Sequence, residues 1–127
     1  TLATFEATGQ IIIDALENAN SQVEEGAGRI PQVAGMKYTW DAAAEPGSRI
    51  VEVMVAAGDA FAPIAPAATY GVVTNNYMRN GGDGYRMFVE GMNAYDFGPG
   101  LEVVVADFMS AKGAAYTPYT DGRISQR

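Results

Sequence analysis

The sequence predicts an α+β fold, in which a single compact domain packs its helices against a mixed or antiparallel sheet. The chain has 127 residues, which suits one domain of ordinary size. Hydrophobic residues make up 48 % of the chain, which is enough for a buried core. Segments with helical periodicity occur together with clustered segments that have the composition of strands, and this mixture indicates helices packed on a sheet.

The first thirty residues predict a strand, a helix and a loop. Residues 2–7 suit a short strand, and Thr8 is a suitable N-cap for a helix from Gly9 to about Asn20. Apolar residues recur in this helix at the i, i+3, i+4 and i+7 positions that define one buried face. Residues 21–28 are polar and predict a loop. The residues at these positions are Ile12, Ala15, Leu16 and Ala19, and Ile11 and Ile13 widen the apolar face.

The middle of the chain predicts a hairpin and a third strand. Residues 32–41 alternate, with Ala34, Met36, Tyr38 and Trp40 on one buried face. A turn at 45–48 leads to a second strand at 49–56, which we expect to pair with the first. Residues 58–66 hold two prolines and predict a loop, and residues 69–74 form a third strand.

The last third predicts two helices and an extended tail. Residues 85–95 have roughly helical spacing and predict a short helix, and the chain then breaks at 97–100. Apolar residues from Leu101 to Met109 fit a second helix, although residues 103–105 would also suit a strand. From Thr117 the chain is polar, and we expect it to be extended and packed at an edge.

Composition excludes several kinds of active site. The chain has no cysteine, so disulfides, thiolate metal sites and a cysteine nucleophile are impossible. It also has no histidine, which excludes a Ser-His-Asp triad and removes the commonest ligand for transition metals. The net charge of −7 repels phosphate backbones, so a nucleic-acid partner is not expected. No apolar run approaches the roughly 20 residues of a membrane span.

One loop, from Tyr77 to Tyr85, has the composition of a ligand-binding loop. Three glycines surround Asp83, and an aromatic residue stands at each end. Glycine lets a ligand approach the backbone closely. An aromatic face and a carboxylate suit a nucleoside, because the ring can stack on the base while the carboxylate accepts from ribose hydroxyls. Local pattern alone supports an ordinary glycine turn with a solvated aspartate equally well.

Four segments, taken in order, resemble the C-terminal domain of the 5′-nucleotidase family, which includes UDP-sugar hydrolase-type enzymes. The Gly28–Met36 segment is similar to the family's Gly-x-Phe-x-Gln-Val-x-Gly signature. The terminal Gly122-Arg123-Ile124 also fits, so the resemblance spans nearly the whole chain. The four segments are Thr8-Gly9 with its helix, Gly28–Met36, Pro46–Ile50, and Thr69–Tyr85 with its Gly-Gly-Asp-Gly loop.

The resemblance implies a domain fold of the 5′-nucleotidase C-terminal type over residues 1–127, slightly truncated at its N-terminus. Family members are two-domain phosphohydrolases whose N-terminal metallophosphoesterase domain holds two divalent metals and performs hydrolysis. We therefore expect no cofactor and no catalytic residue in this chain, and we expect it to be inactive by itself. Its expected partners are a nucleoside or nucleotide and that N-terminal domain. The resemblance also implies a periplasmic or extracellular location.

The resemblance assigns roles to residues of the loop. Tyr77 stands where the family has a ring that stacks on the base, and Asp83 stands at the ribose-binding aspartate. Asn75 and Asn76 precede the ring, and one of them is expected to hydrogen-bond near the ligand. Gly81, Gly82 and Gly84 shape the loop. The second stacking ring and the substrate-binding arginines of the family lie upstream of Thr1.

Three alternatives remain open at this point. The chain could be a non-enzymatic interaction module on the same fold. It could be the C-terminal domain of a sister hydrolase, either a thiosulfate-linked hydrolase or a cyclic-nucleotide phosphodiesterase. It could also be an unusual complete hydrolase that uses carboxylates only.

Overall fold

The computed structural model describes residues 1–113 and 115–127. These residues form strands and α-helices together with two 3-10 turns, at Gly82–Gly84 and Arg86–Glu90. In chain order the elements are β1 Leu2–Thr8, α1 Gly9–Ala19, β2 Met36–Trp40, β3 Ile50–Ala57, β4 Ala60–Pro63, β5 Thr69–Asn75, α2 Asn76–Arg79, β6 Met92–Tyr95, α3 Leu101–Lys112 and β7 Ile124–Gln126.

The strands form two sheets. One sheet has the order β5-β1-β6, and both neighbours of β1 run antiparallel to it. The other has the order β4-β3-β2-β7, with β7 parallel to β2 and the remaining pairs antiparallel. The predicted α+β fold with a mixed or antiparallel sheet is confirmed, although the strands divide into two sheets rather than one.

Helix α1 contributes to both hydrophobic cores. The Thr8 hydroxyl caps the helix by accepting from the Ile11 amide at 3.3 Å, as the sequence predicted. Ile12, Ala15 and Ala19 pack with residues of β1, whereas Leu16 packs with Tyr38, Trp40 and Val53 of the hairpin. The helix therefore packs against both sheets.

Three sequence predictions were wrong in part. The strand predicted over 32–41 begins only at Met36, and Ala34, which was placed on its buried face, is exposed. The segment 58–66 is not wholly a loop, because β4 pairs with β3 at its outer edge. Pro63 is the last residue of this edge strand, a position where the amide hydrogen that proline lacks is not needed. Residues 85–95 are not one helix, because a short 3-10 turn ends before Gly91 and β6 follows.

The break at Gly91 has a packing cause. A Cβ at this position would lie 2.3 Å from a ring carbon of Phe5, so the chain passes directly against the core aromatic. The backbone of Gly91 is extended, with φ −61° and ψ 146°. This contact between residues distant in sequence redirects the chain into β6, and helical spacing alone does not reveal it.

The predicted C-terminal helix is confirmed as α3, but its apolar residues are largely exposed. Between 38 % and 58 % of the surface of each of its largest exposed residues faces solvent; these are Leu101, Val103, Val105, Phe108 and Met109. None of the described residues of α3 is buried. The predicted packing of the tail at an edge is confirmed for Ile124–Gln126, because β7 pairs at the edge of the sheet that contains β2 and β3. No helix of the described residues is both long enough and apolar enough to cross a membrane.

Candidate functional site

The candidate site begins where β5 ends. The Asn75 side chain caps α2 by accepting from the Met78 amide at 2.7 Å, which turns the chain sharply after the strand. The Asn76 side-chain oxygen accepts from the backbone nitrogen of Thr1 at 3.0 Å. Both predicted asparagines therefore use their side-chain oxygens within the protein, and they act here by placing the residue that follows, Tyr77.

Tyr77 and Asp83 lie together, as a shared ligand would require. The Tyr77 hydroxyl donates to Oδ1 of Asp83 at 3.3 Å. Tyr77 is 59 % exposed, and Asp83 is exposed as well. An exposed aromatic ring and an exposed carboxylate thus lie next to each other on the surface, joined by one hydrogen bond.

Gly82 lies against one side of the Tyr77 ring. A Cβ at Gly82 would fall 2.4–2.6 Å from three carbon atoms of that ring. The absence of a side chain at Gly82 therefore allows the ring to lie on the backbone of its own loop.

The backbone of the loop is left-handed at three positions. Asp83 has φ 53°, and Gly81 and Gly84 have φ values of 93° and 82°. Aspartate tolerates this conformation better than most residues, but the conformation still costs free energy and needs support from neighbouring groups. The glycines thus allow the turn that presents the Asp83 carboxylate.

Two residues that the sequence analysis did not assign to the site support the loop. Asn18, in the last turns of α1, donates from Nδ2 to the backbone oxygen of Asp83 at 3.0 Å. Arg29 donates from Nη1 to the side-chain oxygen of Asn18 at 3.2 Å. Asn18 and Asp83 are 65 residues apart, so no local pattern reveals the contact.

Tyr85 anchors the far end of the loop in the core. Its ring is 2 % exposed and stacks on Phe88 with a centroid distance of 5.2 Å. Its hydroxyl donates to the backbone oxygen of Arg29 at 2.5 Å. Burial raises the pKa of the Tyr85 hydroxyl to about 12, so the group stays protonated and keeps donating throughout the physiological pH range.

The described residues contain no group of three histidine, cysteine, aspartate or glutamate side chains that could hold a metal ion. A groove of 530 Å³ opens between the two sheets, and Asn75 and Tyr85 line it but Tyr77 and Asp83 do not. Its walls are mostly apolar and include Ile12, Leu16, Met36, Val55, Val72 and Met78. The candidate site itself presents an aromatic ring that can stack and a carboxylate that can accept hydrogen bonds.

Known proteins resemble this chain along nearly its whole length. Residues 1–90 match the family described as "5'-nucleotidase, C-terminal domain". The trifunctional nucleotide phosphoesterase protein YfkN of Bacillus subtilis (strain 168) is 38 % identical over 128 residues, which cover 99 % of this chain. A 5′-nucleotidase precursor from Thermus thermophilus has the same fold, with a TM-score of 0.93 and 36 % identity. The NAD nucleotidase of Haemophilus influenzae is similar as well, with a TM-score of 0.82 and 27 % identity.

The chain spans only a small part of each of these relatives. Both solved structures cover 99 % of this chain, yet the chain covers 25 % of the Thermus protein and 24 % of the Haemophilus protein. It covers 9 % of the Bacillus protein. Most of the length of each relative therefore lies outside the region that this chain matches.

Proposed function

The chain belongs to the family of 5′-nucleotidase C-terminal domains, and on that premise we propose that it recognises the nucleoside of a nucleotide substrate. In this proposal the parent protein is a two-domain, metal-dependent phosphohydrolase of the 5′-nucleotidase type. The base stacks on Tyr77, and ribose hydroxyls donate to Asp83. The observation that carries the proposal is the pairing of an exposed ring with an exposed carboxylate through a 3.3 Å hydrogen bond.

The hydrogen bond leaves the carboxylate free to bind a sugar. An ionised carboxylate has about four acceptor positions, and the Tyr77 hydroxyl occupies one of them on Oδ1. The remaining positions can accept two ribose hydroxyls at once. The same bond joins the carboxylate to the hydroxyl end of the ring, so in the proposal a base stacked on the ring brings its ribose near Asp83.

The energetic contribution of this half-site is modest. One stacked base contributes about 1–3 kcal/mol, which is roughly one to two decades of affinity. Tight binding therefore needs further contacts, which we assign to the parts of the parent protein outside this chain. A second aromatic ring there would cover the other face of the base.

Hydrolysis is also assigned outside this chain. In the proposal, an N-terminal metallophosphoesterase domain with two divalent metals cleaves the phosphate ester, while this domain delivers the nucleoside. No step uses a metal bound to this chain. A periplasmic or extracellular location is part of the same proposal, and fractionation of cells that express the parent protein tests it.

Substitutions in the complete parent protein test the proposal. We expect Tyr77→Ala to raise KM for a nucleoside 5′-phosphate about tenfold or more, with a smaller effect on kcat, because stacking is lost. Tyr77→Phe is the matched control, since it keeps the ring and removes only the hydrogen bond to Asp83. An unchanged KM in Tyr77→Ala would remove this ring from the substrate site.

A second comparison tests the sugar contact. We expect Asp83→Asn to weaken binding of adenosine 5′-monophosphate more than binding of its 2′,3′-dideoxy analogue, because only the first donates hydroxyl groups to the carboxylate. Asparagine tolerates the left-handed backbone of this position, so the loop should keep its shape. Equal losses for both ligands would argue against a ribose contact.

A further inference from the structure

The Asp83 carboxylate stands on a tight turn, which the Tyr85 amide closes by donating to the Gly82 backbone oxygen at 3.1 Å. Asp83 is the one non-glycine residue of the loop with a left-handed backbone among those described, at φ 53°. The residue is exposed, so close packing around its side chain does not fix it. Hydrogen bonds to its own backbone are therefore the contacts that can select this conformation over extended alternatives.

Asn18 supplies such a hydrogen bond. Its Nδ2 donates to the Asp83 backbone oxygen at 3.0 Å and joins the end of α1 to the loop. Arg29 donates to the other end of the same amide at 3.2 Å. An arginine can only donate, so this contact orients the Asn18 amide with its oxygen toward Arg29 and its nitrogen toward Asp83.

A third hydrogen bond closes the ring of contacts. The backbone oxygen of Arg29 accepts from the hydroxyl of Tyr85, two residues after Asp83. Tyr85 is buried and stacked on Phe88, so its hydroxyl is a rigid point of attachment. These contacts form a closed circuit of hydrogen bonds and covalent chain. The chain joins Asp83 to Tyr85, the Tyr85 hydroxyl bonds the Arg29 backbone, and the Arg29 guanidinium bonds the Asn18 side chain. The Asn18 amide then bonds the Asp83 backbone.

Gly84 makes the contact possible. A Cβ at Gly84 would lie 2.5 Å from Oδ1 of Asn18 and 3.2 Å from Nη1 of Arg29. Both side chains therefore occupy the space that any other residue at position 84 would fill. This close approach gives the last glycine of the loop a role distinct from turn formation.

We propose that Asn18 and Arg29 are positioning residues that hold the Asp83 carboxylate in its ribose-binding orientation. This inference rests on the proposed function, since it assigns the sugar selectivity of the site to residues that do not contact the ligand. Asn18 acts on the Asp83 peptide, and Arg29 acts through Asn18. Loss of either residue should lower the preference for ribonucleotides while leaving base stacking on Tyr77 intact.

The test measures KM for adenosine 5′-monophosphate and for its 2′,3′-dideoxy analogue in the complete parent protein. Asn18→Ala removes both hydrogen bonds of the side chain, to the Asp83 backbone and from Arg29. Asn18→Asp keeps an acceptor for Arg29 but has no donor for the Asp83 backbone oxygen. We expect both variants to raise KM for the ribonucleotide about three- to tenfold, since misplaced binding groups cost affinity in this range. KM for the dideoxy analogue and kcat for both substrates should change little.

Ser21→Ala is the matched control. The Ser21 hydroxyl donates to the backbone oxygen of Asn18 at 2.7 Å, so its loss perturbs the same end of α1 without touching Asp83. We expect this variant to leave the ratio of the two KM values unchanged. A general weakening of the helix end would instead shift Asn18→Ala and Ser21→Ala alike, and that result would overturn the positioning role.

The double variant separates this inference from the proposed function. If Asn18 acts through Asp83, Asn18→Ala should add almost nothing to the loss caused by Asp83→Asn, because the two share one path. The ratio of the two KM values measures the selectivity for ribose. If this ratio changes in Asp83→Asn but not in Asn18→Ala, the positioning role is wrong and the proposed function is retained. If the ratio is unchanged in Asp83→Asn, Asp83 does not contact ribose, and the positioning role is then wrong as well.

Discussion

At the scale of single residues, Gly81 and Gly82 are neighbours with different physical constraints. Gly81 has φ 93°, a backbone conformation that side chains rarely adopt, and its surroundings leave ordinary space for a Cβ. Gly82 has no positive φ, but its Cβ position is occupied by the Tyr77 ring. A methyl group should therefore strain the backbone at Gly81 and displace an exposed side chain at Gly82.

We predict that Gly82→Ala affects substrate binding more than stability. The new methyl group must push the Tyr77 ring aside, and the ring can move because 59 % of its surface is free. The displaced ring should stack less well on a base, which raises KM for a nucleoside 5′-phosphate about tenfold in the complete protein. The melting temperature should fall by only a few degrees at most.

Gly81→Ala is the control, and we expect it to lower stability while leaving KM nearly unchanged. The left-handed backbone should cost alanine about 1–2 kcal/mol of folding free energy. The nearest atoms to the new Cβ belong to Val89 and Arg86, at 3.5 and 3.7 Å, so the Tyr77 ring is not pushed. If Gly82→Ala lowers the melting temperature more than Gly81→Ala and leaves KM unchanged, the assigned contact between Gly82 and the ring is not what shapes the site.

At the scale of elements, Glu17 joins α1 to β3. Its two carboxylate oxygens accept from the backbone amides of Arg49 and Ile50, at 2.9 and 2.8 Å. Arg49 itself is 4 % exposed and donates to the backbone oxygens of Ala44 and Asn20, and its guanidinium pairs with Glu24. The start of the β3 strand is thus tied to the helix that also carries Asn18.

We predict that Glu17→Ala lowers the free energy of unfolding by about 1–3 kcal/mol, because it leaves partly buried backbone amides without an acceptor. Glu17→Gln should cost less, since its amide oxygen can still accept one of the two hydrogen bonds. Urea denaturation of each variant measures the difference.

Asp14→Ala is the control on the same helix. Asp14 is exposed, and among the described residues its side chain accepts from Gln10, one turn earlier, at 2.9 Å. We expect its loss to cost about 0.5 kcal/mol or less, as for most surface substitutions. Equal stability of Glu17→Ala and Asp14→Ala would show that the two amide contacts do not hold β3 to the helix.

How far the sequence predicts each element depends on where the decisive contacts lie. The first strand, its N-capped helix and the hairpin of β2 and β3 are visible in local patterns, because alternation, capping and periodicity act over a few residues. Local patterns do not predict β4 and β6, because both strands are short and mostly exposed and so show no alternation of buried and exposed residues. β6 also depends on the contact between Gly91 and Phe5, which are distant in sequence.

The same distinction applies to the candidate site. Tyr77 and Asp83 lie six residues apart, so one stretch of sequence suggests both. Asn18 and Arg29 reach the loop only through the fold, and neither lies in a motif that points to Asp83. Sequence alone therefore gives the groups that would touch a ligand and omits those that hold them in place.

At the scale of the whole molecule, α3 is unusual because it is apolar and yet unburied. Apolar residues occur around much of its circumference, and none of its described residues is buried. A helix with apolar residues on all sides is normally covered by other protein. The chain alone therefore presents a hydrophobic surface to solvent, which should bind a hydrophobic dye.

We predict that the isolated chain binds the dye ANS at α3 and that Val103→Gln with Val105→Gln reduces the dye fluorescence. Val103 and Val105 are 50 % and 58 % exposed, so glutamine at these positions removes apolar surface without opening a cavity. The melting temperature should change little, because partly exposed side chains lose little transfer free energy on substitution. Fluorescence titration and thermal melts of the same samples measure both quantities.

Val89→Gln is the control that shows whether a fall in dye fluorescence is specific to α3 or follows from the loss of any exposed valine. Val89 is 56 % exposed, nearly the same as Val105, but it lies in the 3-10 turn after the glycine loop. Dye binding requires a continuous apolar surface, so the loss of one isolated valine should leave the fluorescence almost unchanged. If Val89→Gln reduces fluorescence as much as the double substitution in α3, the dye does not bind the helix and its apolar side chains do not form one continuous surface.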